Sequence, residues 1–89
     1  MNTYRNALER RTGLKLAEAT TNEVNKIYFC GYWQKAYKVL AINDHDIWGE
    51  VYQVQWEDGR IGTHFTRFDP NNDFEILGGY TNENLLYRV

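Results

Sequence analysis

Serine is absent from this chain of 89 residues, and cysteine, proline and methionine occur once each. The single cysteine, Cys30, excludes an internal disulfide bond. The N-terminus carries no apolar signal segment, and no apolar run is long enough to cross a bilayer. We therefore expect a soluble, cytoplasmic protein.

The lack of serine also narrows the chemistry. Nucleophilic catalysis would need Cys30 with His64 as its base, and the simpler interpretation of Cys30 is a buried structural thiol. Asp44-His45-Asp46, taken with His64, is a weak metal motif, because adjacent residues in a loop rarely converge on one ion. We expect no enzymatic activity, no metal and no cofactor.

The two parts of the chain differ in charge, although the net charge is only −2. Residues 1–38 carry +4 and residues 39–89 carry −6. An acidic chain disfavours strong non-specific binding to nucleic acid, because such affinity comes mainly from neutralising phosphates. The basic front nevertheless supports a nucleic-acid hypothesis, in which a stripe of cations contacts phosphates: Arg5, Arg10, Arg11, Lys35 and Lys38.

Aromatic residues are abundant, at 16% of the chain, with seven Tyr, four Phe and three Trp. Large rings bury much area each, so a short chain can build its core from them. Rings that are apolar at one end and polar at the other also occur at binding surfaces. Both interpretations stay open, and the surface candidates are Tyr32, Trp33, Tyr37 and Trp48.

The N-terminal residues predict a short amphipathic helix over 3–12, with Gly13 as its left-handed stop. Apolar positions there follow helical spacing at Tyr4, Ala7 and Leu8. Over 14–24 the signal is mixed, because Leu14-Lys15-Leu16 alternates like a strand while later apolar positions keep helical spacing. We favour a second helix. Beyond the aromatic run 27–33, residues 36–42 suit a strand that is buried on both faces, and 43–49 a loop.

A β-hairpin is predicted over 50–66, turning at Asp58-Gly59. A two-residue turn of this type has type I′ geometry, with positive φ at both central residues. It would pair Trp56 with Ile61. One face of the hairpin would then be apolar: Tyr52, Val54, Trp56, Ile61 and Phe65. The other face would be mostly polar and would include Gln55. Residues 69–73 read as a turn around Pro70, residues 74–77 as a closing strand, and the tail as a helical turn or an edge strand.

This order of elements resembles small SH3-like barrels. Bacterial and phage proteins of the KOW and Tudor-like type often carry a G-x-V … V-x-W-x-D-G segment, matched here by Gly49-x-Val51 and by Val54-Gln55-Trp56-Glu57-Asp58-Gly59. The resemblance covers residues 36–77 and bears on the fold more than on an activity. It implies a non-catalytic module that binds protein or nucleic acid. No spacing marks the aromatic cage of methyl-lysine readers.

Together these patterns predict an α+β, mostly β fold: an SH3-like bent antiparallel sheet or small barrel of about four or five strands, with one or two short N-terminal helices. We expect one domain, made of an N-terminal helical segment (1–30), a β core (31–79) and a tail (80–89). The expected function is binding of a protein or peptide through an exposed aromatic surface, in a bacterial or phage-type accessory protein. Nucleic-acid binding is the alternative. No membrane partner is expected, and the oligomeric state stays open.

Overall fold

The computed structural model describes residues 3–18, 23–47, 49–64, 72–78 and 80. In this part of the chain there is one helix, α1 (Thr3–Thr12), and there are six strands: β1 (Lys15–Glu18), β2 (Ile27–Cys30), β3 (Lys35–His45), β4 (Gly49–Trp56), β5 (Ile61–His64) and β6 (Asp73–Leu77). The strands form one antiparallel sheet in the order β1-β6-β2-β3-β4-β5, which is not closed. The predicted α+β, mostly β fold is confirmed.

Helix α1 has the predicted bounds, Thr3–Thr12. It ends because Gly13 adopts φ of +76° and donates its N–H to the Glu9 carbonyl oxygen at 2.9 Å, a left-handed helix stop. Leu8 is the buried residue of the helix and packs into the core beneath it. The helix therefore covers one face of the sheet.

The second helix, favoured over 14–24, is wrong for Lys15–Glu18, which form β1. The strand-like alternation of residues 14–16 was the correct signal. Strand β1 pairs with β6, which puts Leu16 opposite Ile76 and buries both side chains. That partner lies some sixty positions later in the chain, so local spacing carries no information about it.

Two apolar clusters lie on opposite faces of the sheet, because successive residues of a strand point to opposite sides. The cluster under α1 consists of Leu8, Leu16, Phe29, Ala36, Phe74 and Ile76. The cluster on the other face consists of Tyr28, Cys30, Tyr37, Val39, Tyr52 and Val54. Most of the aromatic residues in the described strands are therefore core residues.

Strand β3 is longer than predicted and runs through Asn43, Asp44 and His45, which were expected in a loop. The polar composition of 43–45 suggested a turn, but β4 supplies a backbone partner for each of them. A register shift between Val39 and Ala41 marks a β-bulge. The extra residue reverses the alternation and bends the strand, so that Val39 and Ile42 both face the second cluster.

The hairpin exists, but its predicted register is wrong by one residue. Gln55 pairs with Ile61 and Val54 with Gly62, so the loop contains three residues, Glu57-Asp58-Gly59. Gly59 has φ of +92°, and Asp58 is absent from the residues with positive φ, so the turn is not type I′. It has the three-residue geometry in which the last loop residue is left-handed.

The register of the β4–β5 pair changes which side chains of β5 are buried. Tyr52 and Val54 are in the core as predicted, whereas Ile61, expected beside them, is 60% exposed. Gln55, expected on the polar face, is buried. Phe65 lies outside the described residues. Strand β6 confirms the closing strand predicted at 74–77, and Pro70 and the tail beyond Tyr80 lie outside the description. The open six-stranded sheet is compatible with an SH3-like arrangement.

Candidate functional site

The turn between β2 and β3, residues 31–34, presents two aromatic side chains at one end of the sheet. The Gln34 N–H donates to the Cys30 carbonyl oxygen at 2.7 Å, which closes the turn, and Gln34 takes the left-handed φ of +60°. The Gln34 side-chain amide also donates to the Gly31 carbonyl oxygen. This compact geometry leaves Tyr32 and Trp33 at the apex.

Tyr32 and Trp33 are the most exposed aromatic side chains of the described residues, at 72% and 56%. Their rings meet edge to face, with centroids 5.0 Å apart and planes at 89°. This arrangement is favourable for two rings and holds them against each other. The pair is an apolar surface of defined shape that the core does not use.

Helix α1 braces this turn from one side. Gly31 donates its N–H to the Asn72 carbonyl oxygen at 2.6 Å, and the Tyr4 hydroxyl occupies the space that a Cβ on Gly31 would need. Arg11 donates to the side-chain oxygen of Gln34. Tyr4 and Arg11 are two helical turns apart on one face of α1 and contact the two ends of the turn, so its backbone is positioned before any partner arrives.

Positive charge flanks the aromatic pair. Arg10 and Arg11 are exposed in the last turn of α1, where cations interact favourably with the helix dipole. Among the described residues neither forms an ion pair, since Arg11 contacts only the neutral amide of Gln34. Lys35 lies near Asp58. The pKa of Asp58 is lowered mainly by the hydrogen bond from the Arg60 backbone N–H and in smaller part by the positive charge of Lys35.

The structure separates the residues that we assigned to an aromatic surface. Tyr32 and Trp33 lie together and are exposed, whereas Tyr37 is fully buried in the second cluster. Tyr37 lies between the Tyr28 ring at 5.7 Å and the Trp56 ring at 5.3 Å, so a partner cannot reach it. Trp48 is outside the described residues.

The five cations of the nucleic-acid hypothesis do not form one stripe. Lys38 is 1% exposed, on the face of the sheet that α1 covers, and it has electrostatic or hydrogen-bonding contacts of its own. Arg5 pairs with Glu9 at 3.4 Å and donates to the Leu16 carbonyl oxygen at 3.0 Å, so it ties α1 to β1. Arg11 and Lys35 remain at the turn, and Arg10 is exposed in the last turn of α1.

A buried polar group lies just beneath the turn. Cys30 stands opposite Asp73 in the register of β2 and β6, and Asp73 accepts a hydrogen bond from the Tyr37 hydroxyl at 3.0 Å. Burial is the main cause that raises the pKa of the Cys30 thiol to about 11, and the Asp73 charge adds to it. The thiol is therefore held in its protonated, unreactive form at neutral pH.

The weaker chemical motifs find no support in the described part of the chain. Cys30 is on β2 and His64 on β5, with β3 and β4 between them in the sheet. No group of three or more His, Cys, Asp or Glu residues among those described has an arrangement that could hold a metal ion. Asp44, His45 and Asp46 are exposed at the far end of β3.

No helix among the described residues is long and apolar enough to span a membrane. Comparison of the chain with protein-family models, with curated proteins and with solved structures found no match.

Sequence reasoning missed the residues that support the aromatic pair. Tyr4 was assigned to a helix face and Gln34 was not singled out. Yet Tyr4 lies against Gly31, and Gln34 ends the turn and accepts a hydrogen bond from Arg11. Gly31 interrupts the aromatic run 27–33. A glycine fits there for a steric reason, because a Cβ on residue 31 would meet the Asn72 carbonyl oxygen at 2.8 Å. A glycine within an aromatic run was the one available signal.

Proposed function

We propose that this protein is a non-catalytic binding module, SH3-like and of the KOW or Tudor-like type, that binds a protein or peptide through Tyr32 and Trp33. The observation that carries the proposal is an exposed edge-to-face aromatic pair on a braced turn. Exposed aromatic residues beside arginine are typical of the centres of protein interfaces. A preorganised turn also loses less conformational freedom on binding.

The flanking charge defines the partner further. Arg10 and Arg11 are exposed cations without an ion pair among the described residues. A partner with carboxylates around an apolar side chain would match both properties of this surface, and charge complementarity would raise the association rate. A bacterial or phage accessory protein of the cytoplasm remains our expectation for the biological setting.

The test is capture of partners by the immobilised protein from a lysate of its own source cells. We expect Trp33→Ala and Tyr32→Ala each to abolish capture while the far-UV CD spectrum stays unchanged. Leu77→Ala is the matched control, because Leu77 is 44% exposed at the far end of β6. Equal capture by the wild type and by Trp33→Ala would refute the proposal.

Nucleic-acid binding is the second candidate. It is favoured by Arg11 and Lys35 at the turn that carries two aromatic rings, with Arg10 exposed nearby in the chain on α1. Bases stack on aromatic side chains and cations contact phosphates in such sites. Three cations predict a shallow salt dependence, with a log–log slope of about −2 for a single strand. Fluorescence anisotropy with a labelled oligothymidine tests it, and Arg10→Ala with Arg11→Ala should remove the binding. No binding at low salt would exclude this candidate.

A further inference from the structure

The two ends of β3 carry opposite charge. The strand of eleven residues, Lys35–His45, spans about 33 Å, and the longest dimension of the molecule is 39 Å. Before β3 lies the basic tip, which we define as Arg10, Arg11, Tyr32 and Trp33. At the His45 end of β3 and just beyond it lies the acidic tip, which we define as Asp44, Asp46, Ile47 and Glu50. The strand thus holds the two tips at opposite ends of the molecule.

The acidic tip combines negative charge with an exposed aliphatic side chain. Ile47 is 80% exposed, the largest value among the large hydrophobic side chains described. Asp44 stands directly opposite Glu50 in the β3–β4 register, and like charges in that position destabilise a sheet. Nowhere in the described ranges does a lysine or arginine pair with Asp44, Asp46 or Glu50. The tip therefore gains stability from any cation that a partner brings.

The basic tip has the complementary properties. It offers two exposed rings and two arginines that lack an ion pair among the described residues. An aliphatic side chain can pack on the Tyr32–Trp33 pair while carboxylates on either side of it face the guanidinium groups. The acidic tip supplies this order of side chains, since Asp46 precedes Ile47 in the chain and Glu50 follows it, opposite Asp44 in the sheet.

We propose that the occupant of the basic tip is the acidic tip of a second copy of this chain. The proposal rests on the proposed function, because it uses the same aromatic pair. The contact is heterologous, with different surfaces on the two copies. Because the tips lie at opposite ends of the molecule, each added copy leaves one free tip of each kind, and the assembly grows as an open chain instead of closing as a dimer.

The contact is small. Each tip presents few side chains, so the interface falls in the class below about 1,200 Å² that is typical of weak, transient complexes. We expect a Kd on the order of 100 µM. Exposed ion pairs are screened by salt, so the association should weaken as ionic strength rises.

The experiment is sedimentation velocity on the intact chain from about 1 µM to about 1 mM, at low salt and in 0.5 M NaCl. We expect a mean mass that rises with concentration past the dimer at low salt and rises less at high salt. Leu77→Ala, which alters an exposed apolar residue outside both tips, should associate like the wild type. A chain that stays monomeric at the highest concentration overturns the proposal.

Two blocked variants test the head-to-tail geometry. One carries Arg10→Glu and Trp33→Ala in the basic tip, and the other carries Asp46→Lys and Ile47→Ala in the acidic tip. Far-UV CD spectra must match the wild type. Each variant alone should be monomeric, since its remaining tip has no complementary surface. An equimolar mixture should form a one-to-one complex and grow no further, because each chain contributes its one intact tip.

Three other outcomes of these experiments would show which part of the proposal is wrong. If the chain blocked in the acidic tip still self-associates as the wild type does, the basic tips contact each other and the head-to-tail inference fails. A mixture that stays monomeric also overturns it. If the wild-type chain never self-associates but captures a different protein through Trp33, this inference falls and the proposed function stands.

Discussion

The Tyr37 hydroxyl donates a hydrogen bond of 3.0 Å to the Asp73 carboxylate, and both side chains are buried. Tyr37 is on β3 and Asp73 on β6, the two strands that flank β2 in the sheet. The bond therefore crosses β2 at the point where that strand enters the aromatic turn. It ties β3, the strand that follows the aromatic turn, to β6.

This bond predicts a cost for Tyr37→Phe. The ring would keep its packing, but the buried Asp73 would lose a hydrogen-bond donor. Hydrogen bonds to charged groups are worth about 1.5–3 kcal/mol, so the free energy of unfolding should fall by that amount. Urea unfolding followed by CD measures it. Tyr32→Phe is the control and should change the value by less than about 0.5 kcal/mol, since Tyr32 is exposed.

Steric crowding at Gly31 predicts that substitution of this residue also lowers the free energy of unfolding. In Gly31→Ala the new Cβ would meet the Tyr4 hydroxyl and, at 2.8 Å, the Asn72 carbonyl oxygen. Overpacking of this kind costs about 1–3 kcal/mol. Adding Tyr4→Phe should recover only part of the loss, because the backbone contact remains.

Gly62→Ala is the matched control for Gly31. Its Cβ would come no closer than 3.6 Å to the Trp56 indole nitrogen, an ordinary contact. Thermal unfolding of the three variants and the wild type provides the comparison. Equal melting temperatures for Gly31→Ala and Gly62→Ala would mean that α1 does not press on the turn.

The hairpin register predicts that Ile61 tolerates a charge. Because Ile61 pairs with Gln55 and is 60% exposed, Ile61→Lys should alter the free energy of unfolding by about 0.5 kcal/mol or less. Had Ile61 packed beside Trp56 in the core, the same change would leave a charge in an apolar site at a cost of several kcal/mol. Gly59→Ala should instead cost about 1–2 kcal/mol, because Gly59 has φ of +92°.

Cys30 predicts a loss of stability at high pH. Burial raises the thiol pKa from 9.0 to about 11, so between those values the unfolded state binds fewer protons than the folded state. The free energy of unfolding therefore falls as pH rises through that window and is unaffected by this thiol below it.

Urea unfolding at pH 8, 9, 10 and 11 checks this for the wild type and for Cys30→Ala. The wild-type free energy of unfolding should fall more steeply than that of Cys30→Ala. The difference between the two curves isolates the thiol from Tyr28, whose pKa burial also raises. Parallel curves would contradict the assigned pKa.

A structural element could be predicted from the sequence when the residues that determine it lie close together in the chain. Helix α1 was predicted with its correct bounds because its spacing and the Gly13 stop lie within one short segment. Strand β6 was predicted for a similar reason. In contrast, the hairpin turn was misjudged, because Asp-Gly is compatible with two loop lengths that differ by one residue. The exposure of Ile61 follows from that single residue, because the slip moves Ile61 to the face opposite Val54.

The sequence by itself determined that the chain is rich in aromatic residues and that its charge changes sign along its length, because both can be counted without knowing which residues are neighbours in space. Only the tertiary structure decided which aromatic rings are exposed to solvent and which are buried. Tyr32 and Tyr37 look equivalent in the sequence, yet one is at the apex of a turn and the other is fully buried. The difference arises because contacts from α1, β4 and β6, distant in sequence, decide which side of each strand is covered.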